Sequence, residues 1–187
     1  MIILKTSDFT SGFLSIGQSA TLTPKIQAAI DDYEKRSIYE ILSNNNPAYP
    51  IGFGDIFIND CSTNAGVPII ARNLLIFNAM VQQDGSRIRQ SRGMKDVIAS
   101  MVFYYFTTDW AASFGQGGVS SSNMDTQNKA DYQNTYRFAE RRFNRALESI
   151  ETIQWWLKTG NSNGGGNAQY PEYIQPPMIR AKFSDIL

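Results

Sequence analysis

The chain has 187 residues, of which 42% are apolar and 18% are charged, and its 17 basic residues balance 17 acidic ones. This composition predicts a folded domain with a hydrophobic core and excludes a disordered chain. The zero net charge argues against a dedicated nucleic-acid-binding protein. The absence of histidine excludes imidazole-based metal sites and triads, and the single cysteine, Cys61, excludes a disulfide within the chain and fits assembly in a reducing cytoplasm.

The first half of the chain predicts one long helix between two irregular segments. Residues 1–22 read as extended or irregular and lack the pattern of a signal peptide. Thr23 as N-cap and Pro24 as the first helical residue open a helix whose apolar residues recur every three or four positions up to Leu42. Residues 47–70 read as a long connection, in which 56–58 could form a short strand.

The second half of the chain predicts three further helices. The second helix is expected over residues 71–84, followed by a basic, polar connection over 85–95. The third helix, over about 94–114, is apolar on nearly all sides, which is typical of the centre of a bundle. The last and clearest helix is expected over 124–158, where apolar residues again recur at steps of three and four.

These patterns predict an all-α fold, an elongated bundle of about four helices with a long C-terminal helix, an irregular N-terminal segment and an extended C-terminal arm. We assign 1–160 to the helical domain and 161–187 to a glycine-rich spacer and the arm. A helix over 124–158 would be about 50 Å long, longer than the roughly 40 Å diameter of a compact sphere of this mass. No membrane-spanning segment is expected.

The arm carries apolar side chains that are expected to bind a groove, on its own subunit or on another. Adjacent prolines at 176–177 exclude a helix there. The adjacent Trp155 and Trp156 cannot both face inward, so one of them is expected to contact the arm or a partner subunit. The predicted anchors of the arm are Tyr170, Tyr173, Ile174, Met178, Ile179, Phe183 and Leu187.

The glycine-rich stretch FGQGGVSSSN at 114–123 resembles a phosphate-binding loop only in its glycine content. A P-loop needs Lys and Ser or Thr directly after its last glycine, and these residues are missing here. We expect a connection between two helices, with Ser122 or Asn123 capping the second one.

The pair Asp55 and Asp60 lacks the regular ligand spacing of a calcium loop. No catalytic residue, metal or cofactor is therefore expected.

Two groups of basic residues could contact anions. The first comprises Arg87, Arg89, Arg92 and Lys95, which could contact a phosphate backbone in a DNA channel. A solvated connection, or pairing with acidic residues of a neighbouring subunit, is the favoured interpretation because the net charge is zero. The second group, Arg137, Arg141, Arg142 and Arg145, has helical spacing and predicts a solvated or intersubunit face.

Three segments together resemble a known family. They are AAIDDYEKRSIYEILS, the aromatic stretch VFYYFTTDWAASF, and NKADYQNTYRFAERRFNRALESIETIQWWLK. Their order is similar to that in head–tail connector proteins (adaptor or neck ring proteins) of tailed bacteriophages, especially those of Bacteroides-type hosts. The resemblance covers roughly residues 20–160 and concerns patterns of residue type.

The resemblance implies a structural virion protein without enzymatic activity. Such proteins form a ring, commonly of twelve subunits, between the capsid portal and the tail, are assembled in the host cytoplasm, and extend a channel in which packaged DNA makes transient contact. The implied partners are copies of the chain, the portal and an adjacent neck or tail protein. The longer connection at 44–70 and the glycine spacer depart from the pattern, which leaves the partner of the arm open. The alternative is a small helical DNA-binding accessory protein, motivated by residues 87–95.

Overall fold

A computed structural model of the chain describes residues 2–10, 22–43, 46–116, 126–160 and 167–181. These residues form a mostly helical fold with one two-stranded antiparallel sheet, so the expectation of a purely α fold needs correction. The elements in chain order are α1 (Ser7–Thr10), α2 (Leu22–Leu42), α3 (Phe53–Thr63), α4 (Ala71–Phe77), β1 (Met80–Asp84), β2 (Arg87–Ser91), α5 (Met94–Gln116) and α6 (Thr126–Thr159).

Helix α5 lies at the centre of the fold, as its sequence predicts. Its residues from Val97 to Tyr104 are all buried, so no side of this part of the helix faces solvent. Helix α6 packs along one side of α5 and α2 along another. Burying apolar side chains around the whole circumference of one helix requires neighbours on several sides, and α2 and α6 provide them.

The apolar stripes predicted for α2 and α6 are confirmed. In α2 the residues Ile26, Ile30, Ile38, Ile41 and Leu42 are buried. In α6 the buried residues follow each other at steps of three and four, and they are Ala139, Phe143, Ala146, Ile150, Ile153 and Leu157. Helix α2 begins at Leu22, slightly before the predicted start at Pro24, a difference that is common at frayed helix ends.

The predicted strand at 56–58 is wrong, because this segment lies inside helix α3. Phe53, Phe57 and Cys61 recur every four residues and form the buried face of α3. Gly54 allows the helix to approach the end of α2 closely, since a Cβ atom at this position would lie 2.5 Å from the Ser43 carbonyl oxygen. The apolar stripe of α3 contains only three residues and has glycines around it. The sequence of this segment is therefore typical of a loop, which explains the wrong prediction.

The helix predicted over 71–84 is also wrong in its second half. Helix α4 ends at Phe77, and β1 then pairs with β2 in a hairpin that includes most of the predicted basic connection. Asp84 pairs with Arg87, so the turn consists of Gly85 and Ser86 alone. Gly85 has φ of +58°, a left-handed conformation that two-residue hairpin turns require and that glycine adopts without strain.

Residues 2–10 are irregular apart from the single turn of α1, and a buried carboxylate of α2 is one of their attachments to the core. Glu34 in α2 is only 1% exposed. Its carboxylate oxygens accept hydrogen bonds from the backbone N–H groups of Ile2, Ile3 and Leu4 at 2.6, 2.5 and 2.6 Å. These bonds satisfy the buried charge, and the side chains of Ile3 and Leu4 join the core beside it.

Two expectations concern the ends of the long helices: the orientation of Trp155 and Trp156 in α6, and the connection that follows α5. Trp156 is buried and Trp155 is half-buried, as their adjacency requires. The Arg89 guanidinium of the hairpin lies 5.0 Å from the Trp155 ring centre, and it is the Trp156 carbonyl oxygen that contacts the arm, at Asn167. Helix α5 continues through Gln116. Residues 117–125, which include most of the glycine-rich stretch and its candidate N-caps, lie outside the described residues.

Candidate interaction site

Tyr170, the first predicted anchor of the arm, is seated on the arm's own chain. Its ring is 2% exposed and meets Phe53 of α3 edge-on, with 5.2 Å between the ring centres. The Tyr170 hydroxyl donates a hydrogen bond of 2.6 Å to the Arg72 carbonyl oxygen. An aromatic ring packed on one side and hydrogen-bonded at its polar end is fixed in both position and orientation. The arm therefore contacts α3 and α4 at this point.

Arg72 in α4 is the centre of the arm's polar contacts. Its guanidinium donates two nearly parallel hydrogen bonds to the Glu172 carboxylate, at 3.0 and 3.3 Å, and a third of 2.6 Å to the Gln169 carbonyl. Burial raises the pKa of Glu172, but the hydrogen bonds and the charge of Arg72 lower it by more, so the pKa lies below its ordinary value. Bidentate pairs of this kind fix geometry as well as charge.

Two asparagines hold the arm on either side of Tyr170. The Asn46 side-chain amide donates a 3.1 Å hydrogen bond to the Glu172 carbonyl oxygen. The Asn167 side-chain amide donates a 2.8 Å hydrogen bond to the Trp156 carbonyl oxygen near the end of α6. We call the contacts of residues 167–173 with the rest of the chain the arm seat.

The predicted anchors divide into three groups. Tyr170 is buried, and Tyr173 and Ile179 are partly buried against the core. Ile174 is 42% exposed and Met178 is 77% exposed, so neither is used within this chain. Phe183 and Leu187 lie outside the described residues. The sequence left open whether the arm binds a groove on its own subunit or on another. In the structure, residues 167–173 contact their own chain, whereas the exposed Ile174 and Met178 are available to another.

Large apolar side chains are exposed in the segments that adjoin the arm-seat residues in sequence. They follow Asn46, flank Arg72 in sequence, and continue beyond Tyr173 in the arm. These residues are Tyr49, Ile51, Val67, Ile69, Ile70, Leu74, Ile174 and Met178, with exposures from 36% to 77%. We call them the apolar surface. It includes most of the large apolar residues that are exposed in the described part of the chain.

The hairpin exposes a second, smaller apolar surface. Residues that pair across a hairpin share one face of the sheet, so Val81, Gln83, Ile88 and Gln90 lie on the same face. This face is exposed, with Val81 at 66% and Ile88 at 65%. The opposite face packs towards α6.

The predicted basic group at 87–95 is split by the structure. The Arg89 Nε atom lies 2.7 Å from an Asp84 carboxylate oxygen, and the Lys95 ammonium lies 3.0 Å from an Asp8 carboxylate oxygen. Arg87 and Arg92 are exposed and make no ion pair with the described residues. Two of the four positive charges therefore have carboxylate partners within the chain.

Asp60, like Glu34, is a buried carboxylate that holds backbone of the same chain. Asp60 accepts hydrogen bonds from the backbone N–H groups of Ile69 and Ile70 and from the Asn73 side-chain amide, at 3.2, 3.1 and 2.9 Å. Within the described ranges, histidine, cysteine and carboxylate side chains form no group of three or more that could hold a metal ion. No helix in the same ranges has the length and apolar character needed to cross a membrane.

Comparisons with protein-family models, with curated proteins and with solved structures give no match to this chain.

The sequence did not predict the three residues that hold the arm, which are Phe53, Arg72 and Asn46. Each lies about 100 or more positions away from the arm residue that it contacts. No local pattern in the sequence could have identified these partners.

Proposed function

We propose that this chain is a structural protein that works by assembling with copies of itself and with other proteins. The observation that carries the proposal is the apolar surface, the exposed apolar side chains in the segments that adjoin the arm-seat residues in sequence. Exposed apolar surfaces on soluble proteins mark contacts with other proteins, because solvent exposure of such side chains is unfavourable. The low charged fraction of 18% supports the same interpretation.

More specifically, we propose a ring protein of the tailed-phage head–tail connector type, located between the capsid portal and the tail and extending the DNA channel. The three segments that carry the family resemblance lie largely in α2, α5 and the α6 region, which pack together as the bundle. Helix α6 has 34 residues and is about 50 Å long. We expect it to make the bundle elongated and to stand beside the same helix of neighbouring subunits.

A closed ring needs two different surfaces on each subunit, because each contact is head-to-tail. The apolar surface and the exposed hairpin face lie on different elements and could provide them. We infer that the apolar surface of one copy, including Met178, contacts a different surface of the next copy or of the portal. The alternative, a DNA-binding accessory protein, has less support from residues 87–95 than the sequence suggested, because Arg89 and Lys95 have partners.

The experiment measures the mass of the purified full-length protein by light scattering and its shape by negative-stain electron microscopy. We expect rings, and a dodecamer of this 21.0 kDa chain would have a mass of about 250 kDa. The double substitution Ile69→Asp with Met178→Asp should abolish assembly, because it places charges at two exposed apolar positions.

Ala28→Asp with Asn59→Asp is the matched control, since it adds the same charge at exposed positions of α2 and α3. This control should assemble as the unmodified protein does. The proposal also predicts genes for a portal and for tail-completion proteins beside this gene. A protein that stays monomeric at high concentration and with the neighbouring portal protein would contradict the proposal.

A further inference from the structure

Three arginines form a row on the solvent side of α6. Arg137, Arg141 and Arg145 recur every four residues and are exposed, whereas the interleaved Ala139, Phe143 and Ala146 are buried. Residues four apart lie on the same face, about 6 Å from one another along the helix axis. Like charges at this spacing repel each other, which slightly disfavours the helix.

These three arginines have no ion-pair partner in the part of the chain that the structure describes. Arg142, which the sequence grouped with them, differs. Its guanidinium lies 2.9 Å from an Asp96 carboxylate oxygen, and its side chain is 12% exposed, so it joins α6 to α5. The structure therefore separates one structural arginine from three that are available to a ligand.

The end of the hairpin adds a fourth arginine beside the row. The Arg92 backbone N–H donates a 3.2 Å hydrogen bond to the Ser149 hydroxyl oxygen, which fixes this part of the chain against α6. Arg92 and Arg145 line the same open depression, of about 310 Å³, together with Ser149 and Glu148. Glu148 is the one carboxylate in this lining, so positive charge exceeds negative charge there.

We propose that Arg92, Arg137, Arg141 and Arg145, which we call the arginine row, bind the phosphate backbone of duplex DNA. The guanidinium group is planar and always charged, and its donors match the geometry of a phosphate. Consecutive phosphates of one strand rise about 3.4 Å along the duplex axis. Because the strand also winds around this axis, neighbouring phosphates lie farther apart than this rise, and arginine side chains about 6 Å apart along α6 can reach phosphates of one strand.

The zero net charge limits the strength of this binding but does not contradict it. Several of the compensating carboxylates are held elsewhere in the fold, such as Glu34 beside residues 2–4 and Asp60 beside Ile69. The attraction is therefore local, and we expect weak, sequence-independent binding that is lost at moderate salt concentration. The inference deepens the proposed function by naming the residues that contact DNA, and it rests on that function only for its biological setting.

The test measures binding of the full-length protein to a labelled duplex of about 20 base pairs by fluorescence anisotropy, at salt concentrations from about 25 to 200 mM. Four phosphate contacts predict a slope of about −3.6 for the logarithm of the binding constant against that of salt. The triple substitution R137Q/R141Q/R145Q should reduce this slope to about −0.9 and weaken binding at low salt at least tenfold.

Two further variants keep the test decisive. K5Q/K25Q/K35Q removes the same charge from exposed positions in other segments and should leave the slope unchanged. R137K/R141K/R145K keeps the charge and should keep most of the slope, even if the glutamine variant folds poorly. The urea midpoint checks folding in each case.

Absence of binding at about 25 mM salt, or equal losses in the glutamine and control variants, would overturn the inference. The inference would also be overturned if neither the unmodified protein nor any variant bound DNA and the glutamine variant lost self-association. The arginine row would then contact the acidic face of a second copy. Ring formation is measured separately. Duplex binding without rings would contradict the proposed function alone, and rings without duplex binding would contradict this inference alone.

Discussion

Two buried carboxylates, Glu34 and Asp60, hold segments of backbone that belong to no helix or strand. Glu34 receives the N–H groups of Ile2, Ile3 and Leu4, and Asp60 receives those of Ile69 and Ile70. A buried charge is tolerated only where hydrogen bonds replace its hydration, and unpaired backbone donors are costly for the same reason. Each carboxylate therefore satisfies the backbone donors of its segment, and these donors replace the hydration of the carboxylate.

Glu172 makes the attachment of the arm depend on pH. Because its pKa is lowered in the folded protein, the carboxylate contributes stability above its unfolded-state pKa of about 4.3, and this contribution is lost as the pH falls through the lower folded-state value. We expect Glu172→Gln to lower the free energy of unfolding in urea by about 1 kcal/mol at pH 7. The difference from the unmodified protein should shrink below about pH 4.5.

Glu148→Gln is the control for this prediction, because Glu148 is exposed and has no ion-pair partner among the described residues. It should leave the free energy of unfolding nearly unchanged at pH 7. A difference between the Glu172 variant and the unmodified protein that stays constant down to about pH 3.5 would contradict the role of the charge.

At the scale of elements, the contact between α3 and the end of α2 depends on the absence of a side chain at Gly54. The Gly54 N–H donates a 2.7 Å hydrogen bond to the Ser43 carbonyl oxygen, which would lie 2.5 Å from an added Cβ atom. Alanine favours a helix over glycine by about 1 kcal/mol. We expect Gly54→Ala nevertheless to destabilise the protein in urea by about 1–3 kcal/mol, because the backbone must move.

Asn59→Ala provides the comparison, since Asn59 is an exposed residue of the same helix. It should be neutral or stabilise the protein by a few tenths of a kcal/mol. If Gly54→Ala stabilised the protein to the same extent, the close approach of α3 to α2 would be wrong.

The length of an element decides how much of it could be predicted from the sequence. Helices α2 and α6 were predicted because each repeats its apolar spacing over several turns, and α5 was predicted because its apolar run is longer than a strand. Helix α3 was missed because its stripe contains only Phe53, Phe57 and Cys61. The hairpin was missed because β2 has a single apolar residue, Ile88, so no apolar alternation marks it, although the turn residues Gly85-Ser86 are a known hairpin signal.

At the scale of the whole molecule, the arm seat could not be predicted, because its contacts join distant parts of the chain. The seven anchors have the same apolar character in the sequence, yet Tyr170 is 2% exposed and Met178 is 77% exposed. The difference arises from Phe53 and Arg72, which lie beside Tyr170 only in the folded chain. Which of the anchors are used within their own chain is thus a property of the tertiary structure.

The division of the chain at residue 160 remains a prediction, and two truncations test it. Removal of 161–187 deletes Tyr170 and uncovers Phe53, so we expect it to lower the free energy of unfolding by about 3–5 kcal/mol. Removal of only 174–187 keeps the arm seat but deletes the partly buried Ile179, so it should lower the free energy of unfolding by less than the longer truncation does. It also deletes Ile174 and Met178 and should therefore reduce assembly into rings.

The full-length variant Tyr170→Ala separates the loss of the arm seat from the loss of chain length. It should approach the longer truncation in urea, because it also removes the Tyr170 ring that packs on Phe53. Equal stability of both truncations and the unmodified protein would show that residues 167–173 add nothing to the helical domain. In that case the boundary would lie at 160, and the whole arm would be available to another subunit.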